Sequence, residues 1–233
     1  GSGTDMAHLS TVCEAVEAIA TRVGNTVDTI SAGGGLPIRY RPDDPGVDID
    51  SYYTLWDATR TRLAEAFGHP VRMEIEPGRY IAAESGSLIA EIRAIKTTPA
   101  HTFYLLDAGF NNLARPVMYG AEHPMALVPA RGDGTDRPRH DVVVGGPLCE
   151  SGDIFTQGEG GFVRTQSLPR AEIGEHVVIG CAGAYGAVMS SNYNSKPFAA
   201  EIMILDGTMH EVRTRQTLAD VMQGESIPAA LRD

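Results

Sequence analysis

The sequence predicts an α/β unit followed by a mostly β unit, on the strength of two observations. In the first third, apolar residues at helical spacing alternate with short apolar runs that end in glycine- or proline-containing loops, which is typical of parallel α/β structure. Further along, apolar and polar residues alternate with period two between Gly- and Pro-rich loops, which favours a sandwich or a barrel. We therefore expect an α/β part at residues 1–83 and a β domain at residues 84–233.

The α/β part contains two helical patterns and two strand patterns. A helix is predicted over residues 7–23 and a short strand over 27–31. A second helix should begin at an Asp50 N-cap and end at Gly68, because aspartate accepts from the first free N–H groups and glycine adopts the left-handed C-terminal conformation. Residues 71–75 alternate as a second strand. Active sites of such folds gather where these strands end.

The β domain contains one strong hairpin signal and several shorter strand patterns. Asp206-Gly207 predicts a tight turn between two strands. A short closing helix is expected at residues 218–222, capped by Thr217, and residues 131–140 are expected to form an exposed, mobile loop. The remaining strand predictions cover residues 88–95, 101–107, 141–144, 176–181, 201–205 and 209–213.

The composition narrows the class of partner. The formal charge is −11, from 30 acidic and 19 basic residues, so the surface should repel nucleic acid. No apolar run is long enough to cross a bilayer, and no segment resembles a signal peptide, so we expect a cytoplasmic protein.

The seven histidines are scattered, and we expect no metal site. Of the three cysteines, Cys13 and Cys181 lie in apolar patterns and should be buried, whereas Cys149 is either a buried small residue or a reactive thiol.

Two motifs follow the strands of the α/β part. Gly33-Gly34-Gly35 could bring backbone N–H groups close to an anion such as phosphate, although a plain tight loop has the same composition. Glu76-Pro77-Gly78-Arg79 could hold a heterocyclic nitrogen with its carboxylate and an anion with its guanidinium, although a surface ion pair would also fit.

Two further segments of the β domain combine glycine with chemically active side chains. Residues 107–120 include Arg115 and Tyr119, and residues 183–194 include Tyr185. Each alone could be a turn, but their combination indicates a binding or catalytic site.

The sequence resembles the diaminopimelate decarboxylases over nearly its whole length. That resemblance depends on six segments in the family's order: GSGTDMAHL, SAGGGLPIRY, EPGRYIAAESG, DAGFNNLARPVMYGAEHP, GGPLCESGDIFT and GAYGAVMSSNYNSKP. Several of them are shared with ornithine and arginine decarboxylases of the same fold. The combination with CESGD and GAYG is specific to the diaminopimelate enzymes.

The resemblance implies a fold, a cofactor and a set of site residues. The fold would be the C-terminal part of a (β/α)8 barrel that binds pyridoxal 5'-phosphate, followed by a β-sandwich or β-barrel domain. Cys149 would be catalytic, as the proton donor. The substrate would contact Arg79, Arg115, Tyr119, Glu150 and Tyr185. The cofactor would contact Ser2, Gly33, Gly34, Gly35, Glu76, Gly78, Arg79 and Tyr185.

The implied reaction is the decarboxylation of meso-2,6-diaminopimelate, a small amino-acid substrate, to lysine and CO₂. The enzymes of this family need a homodimer whose subunits share the active site, with Cys149 and Glu150 reaching the partner's site. The substrate carries a second amino-acid head, which needs cations and an anion together. Arg79, Arg115 and Glu150 supply that set.

The sequence departs from the family in one respect. The family places the lysine that holds the cofactor on an early barrel strand, which would lie upstream of Gly1, and neither Lys96 nor Lys196 stands in a matching context. We therefore expect this chain to be one part of the enzyme, completed by an N-terminal half that could be a separate chain, and to be inactive alone. Two alternatives are a non-catalytic or regulatory protein on the same scaffold, and a related decarboxylase acting on carboxynorspermidine or ornithine.

Overall fold

The computed structural model describes residues 6–132 and 136–232, and the chain divides into two compact units between Ser87 and Leu88. Within these described ranges, no helix is both long enough and apolar enough to cross a membrane.

The first unit consists of helices and two parallel strands. In chain order its elements are α1 (Met6–Val23), β1 (Thr29–Ser31), α2 (Ile49–Phe67), β2 (Arg72–Glu74) and α3 (Gly78–Ala82). Strands β1 and β2 pair in parallel, with Ile30 opposite Met73. The expected alternation of helix and strand is therefore confirmed for this part of the chain.

The ends of α2 follow local capping chemistry, with one correction to the sequence prediction. The N-cap is Asp48, whose Oδ1 accepts from the backbone N–H of Ser51 at 3.0 Å, and Asp50 lies inside the first turn. Both aspartates precede the same apolar stripe, so the sequence could not decide between them. Gly68 ends the helix at φ 72°, as predicted.

The core of the first unit forms where the two long helices cover the strands. Trp56 and Leu63 of α2 are fully buried, and Cys13 of α1 is buried among them, as expected. The remaining buried members are Leu9, Ala20, Ile30, Leu36, Tyr52 and Val71. This packing fixes the carboxyl ends of β1 and β2, from which the glycine loop and the Glu76 segment emerge.

The second unit is built on a mixed six-stranded sheet that is nearly barrel-shaped. Its strands stand in the order β5-β8-β3-β4-β6-β7, with β4 and β6 parallel and the other neighbours antiparallel; strands β5 and β7 also contact each other. A separate hairpin of β9 and β10 and two short helices complete it. The bounds are β3 (Leu88–Thr97), β4 (Thr102–Leu106), α4 (Arg115–Tyr119), β5 (Met125–Val128), β6 (Arg139–Gly145), β7 (Gln166–Pro169), β8 (His176–Ile179), β9 (Glu201–Leu205), β10 (Thr208–Arg213) and α5 (Leu218–Val221).

The turn and the helix cap predicted near the C-terminal hairpin are confirmed. Asp206 and Gly207 have φ angles of 49° and 75°, as the predicted tight turn requires. Thr217 and Asp220 form the expected capping box of α5. The hairpin also leaves apolar side chains exposed, among them Ile204 and Met209.

The prediction of an exposed loop over residues 131–140 was partly wrong. Arg139 and His140 belong to β6, and residues 133–135 lie outside the described residues. Arg137 forms a bidentate ion pair with Glu175, whose side chain is only 2% exposed. The Arg137 guanidinium lowers the pKa of Glu175 below its ordinary value, so the pair holds this segment to the turn before β8.

Candidate functional site

The glycine loop, residues 32–36, leaves β1 in a conformation that needs glycine. Gly33 and Gly35 have φ angles of 65° and 98°. At Gly34, a Cβ atom would lie 3.0 Å from the carbonyl oxygen of Glu76, closer than ordinary van der Waals contact. The backbone of this loop is therefore open to close approach by a ligand.

Glu76 is held beside the glycine loop by bonds to its backbone and side chain. Its N–H donates to the Gly33 carbonyl at 2.8 Å. Ser31 lies between the two segments: its Oγ donates to Glu76 Oε1 at 3.3 Å and accepts from the Gly33 N–H at 3.0 Å. The Glu76 carboxylate is exposed, so it can meet a ligand at the edge of the parallel pair.

Gly78 and Arg79 begin α3, with Pro77 as the N-cap between them and Glu76. The N–H of Gly78 donates to the Glu76 carbonyl at 3.0 Å, and Arg79 is half-buried. The first unit thus presents the backbone of a glycine loop, a guanidinium and a carboxylate at two adjacent strand ends. This donor set fits a ligand with an anionic group and a protonated heterocyclic nitrogen. Ser2, the other residue expected here, lies outside the described residues.

In the second unit, α4 carries two of the predicted substrate residues. Arg115 is 5% exposed, and its Nη1 lies 3.1 Å from Nε2 of His123. Tyr119, one turn later, is 60% exposed. Gly120 ends the helix at φ 59°. The helix therefore presents a buried cation and an exposed phenol from adjacent turns.

The Cys149 loop, residues 146–153, carries the predicted thiol and carboxylate in exposed positions. The side chain of Cys149 is exposed, so the alternative of a buried small residue is wrong. Glu150 Oε1 accepts from the backbone N–H of Gly152 at 3.0 Å. Gln157 donates to the Gly152 and Ile154 carbonyls at 2.9 and 2.7 Å, which fixes the end of the loop.

Asp153 connects the Cys149 loop to the segment after β4. The carboxylate is 4% exposed; Oδ1 accepts from Phe110 N–H at 2.7 Å and Oδ2 from Leu148 N–H at 2.8 Å. Gly109 and Gly146 line its socket, where an added Cβ would collide with the carboxylate. Burial raises the pKa of Asp153 above its ordinary value, and the two backbone bonds oppose that rise in part.

A cleft of about 610 Å³ is lined mainly by the end of α4 and by residues 157–161, with Gly152 of the Cys149 loop among the lining residues. Tyr119 and Gly152 both line it, so the structure brings the end of α4 and the Cys149 loop to one cavity. Its other lining residues are Val117, Met118, Gly120, Gln157, Glu159, Gly160 and Gly161.

Tyr185 follows β8 in a strained turn. Tyr185 and Cys181 have φ angles of 59° and 54°, a conformation that is uncommon outside glycine and frequent at functional sites. Strand β8 therefore ends at Ile179, short of the predicted residue 181; Cys181 is buried, as expected. The carbonyl of Gly180 lies 2.9 Å from Nδ1 of His123, which links this turn to α4.

Each unit therefore assembles its own part of the predicted residue set. In the first, Gly33, Gly34, Glu76 and Gly78 are joined by direct backbone bonds or close approach, and Gly35 follows in the same loop. In the second, Arg115 and Tyr119 share α4, and Cys149 and Glu150 share one loop. Sequence reasoning missed Ser31, His123 and Asp153. The DAG and GGPLCESGD segments contain the glycines that form the Asp153 socket, but nothing local in the sequence signals the partners of Ser31 or His123.

Comparison with known proteins identifies the family. Residues 12–183 match the family described as pyridoxal-dependent decarboxylase, C-terminal sheet domain. This chain belongs to that family. Its nearly barrel-shaped sheet is the family's sheet domain.

Several relatives of this chain are diaminopimelate decarboxylases. The enzyme of that name from Streptomyces coelicolor is 47% identical over 228 residues, which are 98% of this chain and 52% of the relative. A crystal structure of diaminopimelate decarboxylase superposes with a TM-score of 0.92 at 46% identity, covering 95% of this chain and 53% of the other. The M. jannaschii enzyme in co-complex with L-lysine gives a TM-score of 0.81 at 27% identity, covering 98% and 50%. The chain spans about half the length of these relatives.

Proposed function

We propose that this pyridoxal-dependent decarboxylase converts meso-2,6-diaminopimelate to L-lysine and CO₂. The observation that carries the proposal is the 47% identity to a diaminopimelate decarboxylase along nearly the whole chain. The CESGD and GAYG segments fall within that similarity, and they distinguish these enzymes from decarboxylases that act on simpler amino acids.

We assign pyridoxal 5'-phosphate to the donor set of the first unit. Gly33, Gly34 and Gly35, together with the backbone of Gly78 and Arg79, would hold the phosphate, because glycine lets the backbone approach an anion closely. Glu76, held by Ser31, would face the pyridine nitrogen and keep it protonated. When bound, the cofactor supplies an acceptor for the electrons that remain on the substrate carbon as CO₂ leaves. Ser2 and Tyr185 are expected to border it.

The substrate's distal amino-acid head would be held by residues of both signs. Arg115 and Arg79 would bind the distal carboxylate, and Glu150 would bind the distal ammonium, with Tyr119 beside them. Burial strengthens this role for Arg115, because an ionic hydrogen bond is stronger where water is excluded.

Cys149 would donate the proton to the carbon that has lost CO₂. A thiol is mostly protonated at neutral pH, and the exposed position of Cys149 leaves it accessible to a reacting group. We propose that the enzyme is a homodimer in which Cys149 and Glu150 serve the partner's active site. The exposed apolar side chains of the β9–β10 hairpin support a protein–protein interface, because exposed apolar patches are typical of such surfaces.

We further assign the first unit to the C-terminal part of a (β/α)8 barrel. The parallel pairing of β1 and β2 and the helix between them support this assignment, since such units build the barrel. A cytoplasmic location stays a prediction.

A complementation experiment tests the proton donor and the shared site together. In the native protein, Cys149→Ala should lower kcat by a factor on the order of 10²–10⁴, as expected for loss of general-acid catalysis. Glu76→Ala should also be nearly inactive. If Cys149 acts across the interface, mixed dimers contain one intact site, and random mixing should restore roughly a quarter of the wild-type activity.

The matched control is the double variant Cys149→Ala/Glu76→Ala, which should restore nothing when mixed with either single variant. If the two single variants form mixed dimers and no activity returns, the shared-site assignment is wrong. If the full-length native protein, loaded with the cofactor, releases no CO₂ from meso-diaminopimelate, the proposed reaction itself is wrong.

A further inference from the structure

His123 connects the substrate-binding helix to the sheet through two buried hydrogen bonds. The imidazole is 4% exposed; its Nε2 lies 3.1 Å from Nη1 of Arg115 and its Nδ1 lies 2.9 Å from the carbonyl oxygen of Gly180. The sequence around His123 does not predict this arrangement, because Gly180 is 57 residues away in the chain.

The chemistry of the two neighbours fixes the state of the ring. A guanidinium only donates hydrogen bonds, so Nε2 of His123 must be the acceptor. A backbone carbonyl only accepts, so Nδ1 must carry the proton and donate it to Gly180. His123 is therefore a neutral imidazole in one defined tautomer, and both of its nitrogens serve the connection.

The anchor at the far end of this connection is rigid. The N–H of Gly180 donates to the Pro124 carbonyl at 2.8 Å, and its neighbour Ile179 is paired with Met125 in the sheet. A Cβ atom at Gly180 would lie 3.1 Å from Cγ of Pro124, so the chain is closely packed here. A group that is bonded to Gly180 is consequently held by the β8 and β5 strands and not by a mobile loop.

We propose that His123 is a positioning residue that orients Arg115 to bind the substrate's distal carboxylate. This inference rests on the proposed function, in which Arg115 binds that carboxylate. An arginine side chain has many rotamers, and the bond to His123 restricts the plane of its guanidinium. Since a guanidinium has five N–H donors, holding it through Nη1 is compatible with bidentate binding of a carboxylate.

The test compares two inhibitors that differ by the distal carboxylate alone. L-lysine carries it, and 1,5-diaminopentane has the same carbon chain without it. In the native protein, His123→Leu should raise the inhibition constant of L-lysine by roughly ten- to a hundredfold, the value expected for loss of a well-placed ionic hydrogen bond. The inhibition constant of 1,5-diaminopentane should not change.

Two companion variants separate positioning from general damage. His123→Gln keeps an oxygen that can accept from Arg115 and should recover part of the L-lysine affinity. His176→Leu alters an exposed histidine on β8 and should change neither constant. In the Arg115→Ala background, His123→Leu should have no further effect on L-lysine, because two residues that act through one contact are not additive.

Each contrary outcome has a separate meaning. If His123→Leu weakens both inhibitors equally, the residue has only a structural role and the inference is overturned. If Arg115→Ala weakens L-lysine and His123→Leu does not, the inference fails while the proposed function stands. If Arg115→Ala leaves L-lysine binding unchanged, the substrate assignment of Arg115 in the proposed function is wrong, and the inference fails with it.

Discussion

Replacing Asp153 by asparagine should loosen the Cys149 loop by a predictable amount. In the structure, each carboxylate oxygen accepts one backbone N–H, from Phe110 at 2.7 Å and from Leu148 at 2.8 Å. An amide has one oxygen and an NH₂ group, so Asp153→Asn must leave one of these N–H groups facing another donor. The shape of the side chain is unchanged, and the glycine-lined socket around it stays filled.

The expected magnitude combines a loss with a partial offset. A hydrogen bond to a charged group contributes about 1.5–3 kcal/mol, and one of the two is lost. Burial raises the pKa of Asp153, which means that its charge is disfavoured in the folded protein, so removing the charge recovers some of that cost. We expect a net loss of about 1–2 kcal/mol in the free energy of unfolding and a fall of roughly 2–8 °C in Tm.

Hydrogen exchange followed residue by residue is the decisive assay. Protection of the Phe110 or the Leu148 amide should fall by roughly tenfold for each 1.4 kcal/mol lost. The Val144 amide, which donates to Thr156 Oγ1 at 3.0 Å in the same unit, should be affected less. Asp141→Asn, which changes an exposed carboxylate on β6, is the matched control and should cost less than about 0.5 kcal/mol. Unchanged protection of both amides in Asp153→Asn would refute the reasoning.

Two further predictions address the glycine loop and the ion pair at Glu175. Gly35→Ala and Gly24→Ala should each cost about 1 kcal/mol of stability, because both glycines have φ above 90° with open space around them. Only Gly35→Ala should weaken pyridoxal phosphate binding in an absorbance titration. Equal weakening by both variants would contradict the cofactor assignment. The lowered pKa of Glu175 gives stability that is present above its unfolded-state pKa and is lost as pH falls through the folded value. Glu175→Gln should therefore lower the free energy of unfolding near neutral pH, because Arg137 loses its carboxylate partner, and the loss should become smaller in acid. A pH-independent loss in urea unfolding would contradict this.

The sequence predicted the elements whose signals are local. The Asp206-Gly207 turn and the Gly68 helix end depend on backbone conformations that few residue types adopt, so the residue types at these positions identify them. The α4 helix was not predicted; it has only five residues, and its second is Pro116, a residue type that is favoured in the first helical turn.

Two strands were missed for a different reason. Strands β5 and β7 contain four residues each; prolines flank β5 and a proline ends β7, and proline is uncommon inside strands. Their partners β8 and β6 are distant or separated by long connections, so only the closed sheet defines them as strands.

The candidate site shows the same division between local and distant information. Residues with distinctive chemistry, such as Cys149 and Arg115, can be selected from the sequence by type. Residues that hold them cannot, since Asp153 is 43 residues from Phe110 and His123 is 57 residues from Gly180.

Burial explains why these distant contacts are nevertheless specific. A buried polar group is costly unless it is hydrogen-bonded, and each of these side chains is bonded to a backbone group whose position the sheet or a tight turn already fixes. Asp153 and His123 therefore transfer the rigidity of the sheet to an exposed loop and to a charged side chain. Substitutions at Asp153 and His123 should therefore displace the Cys149 loop and the Arg115 guanidinium, although every reactive side chain is still present. The hydrogen-exchange measurement reports the first displacement, and the inhibition constant of L-lysine reports the second.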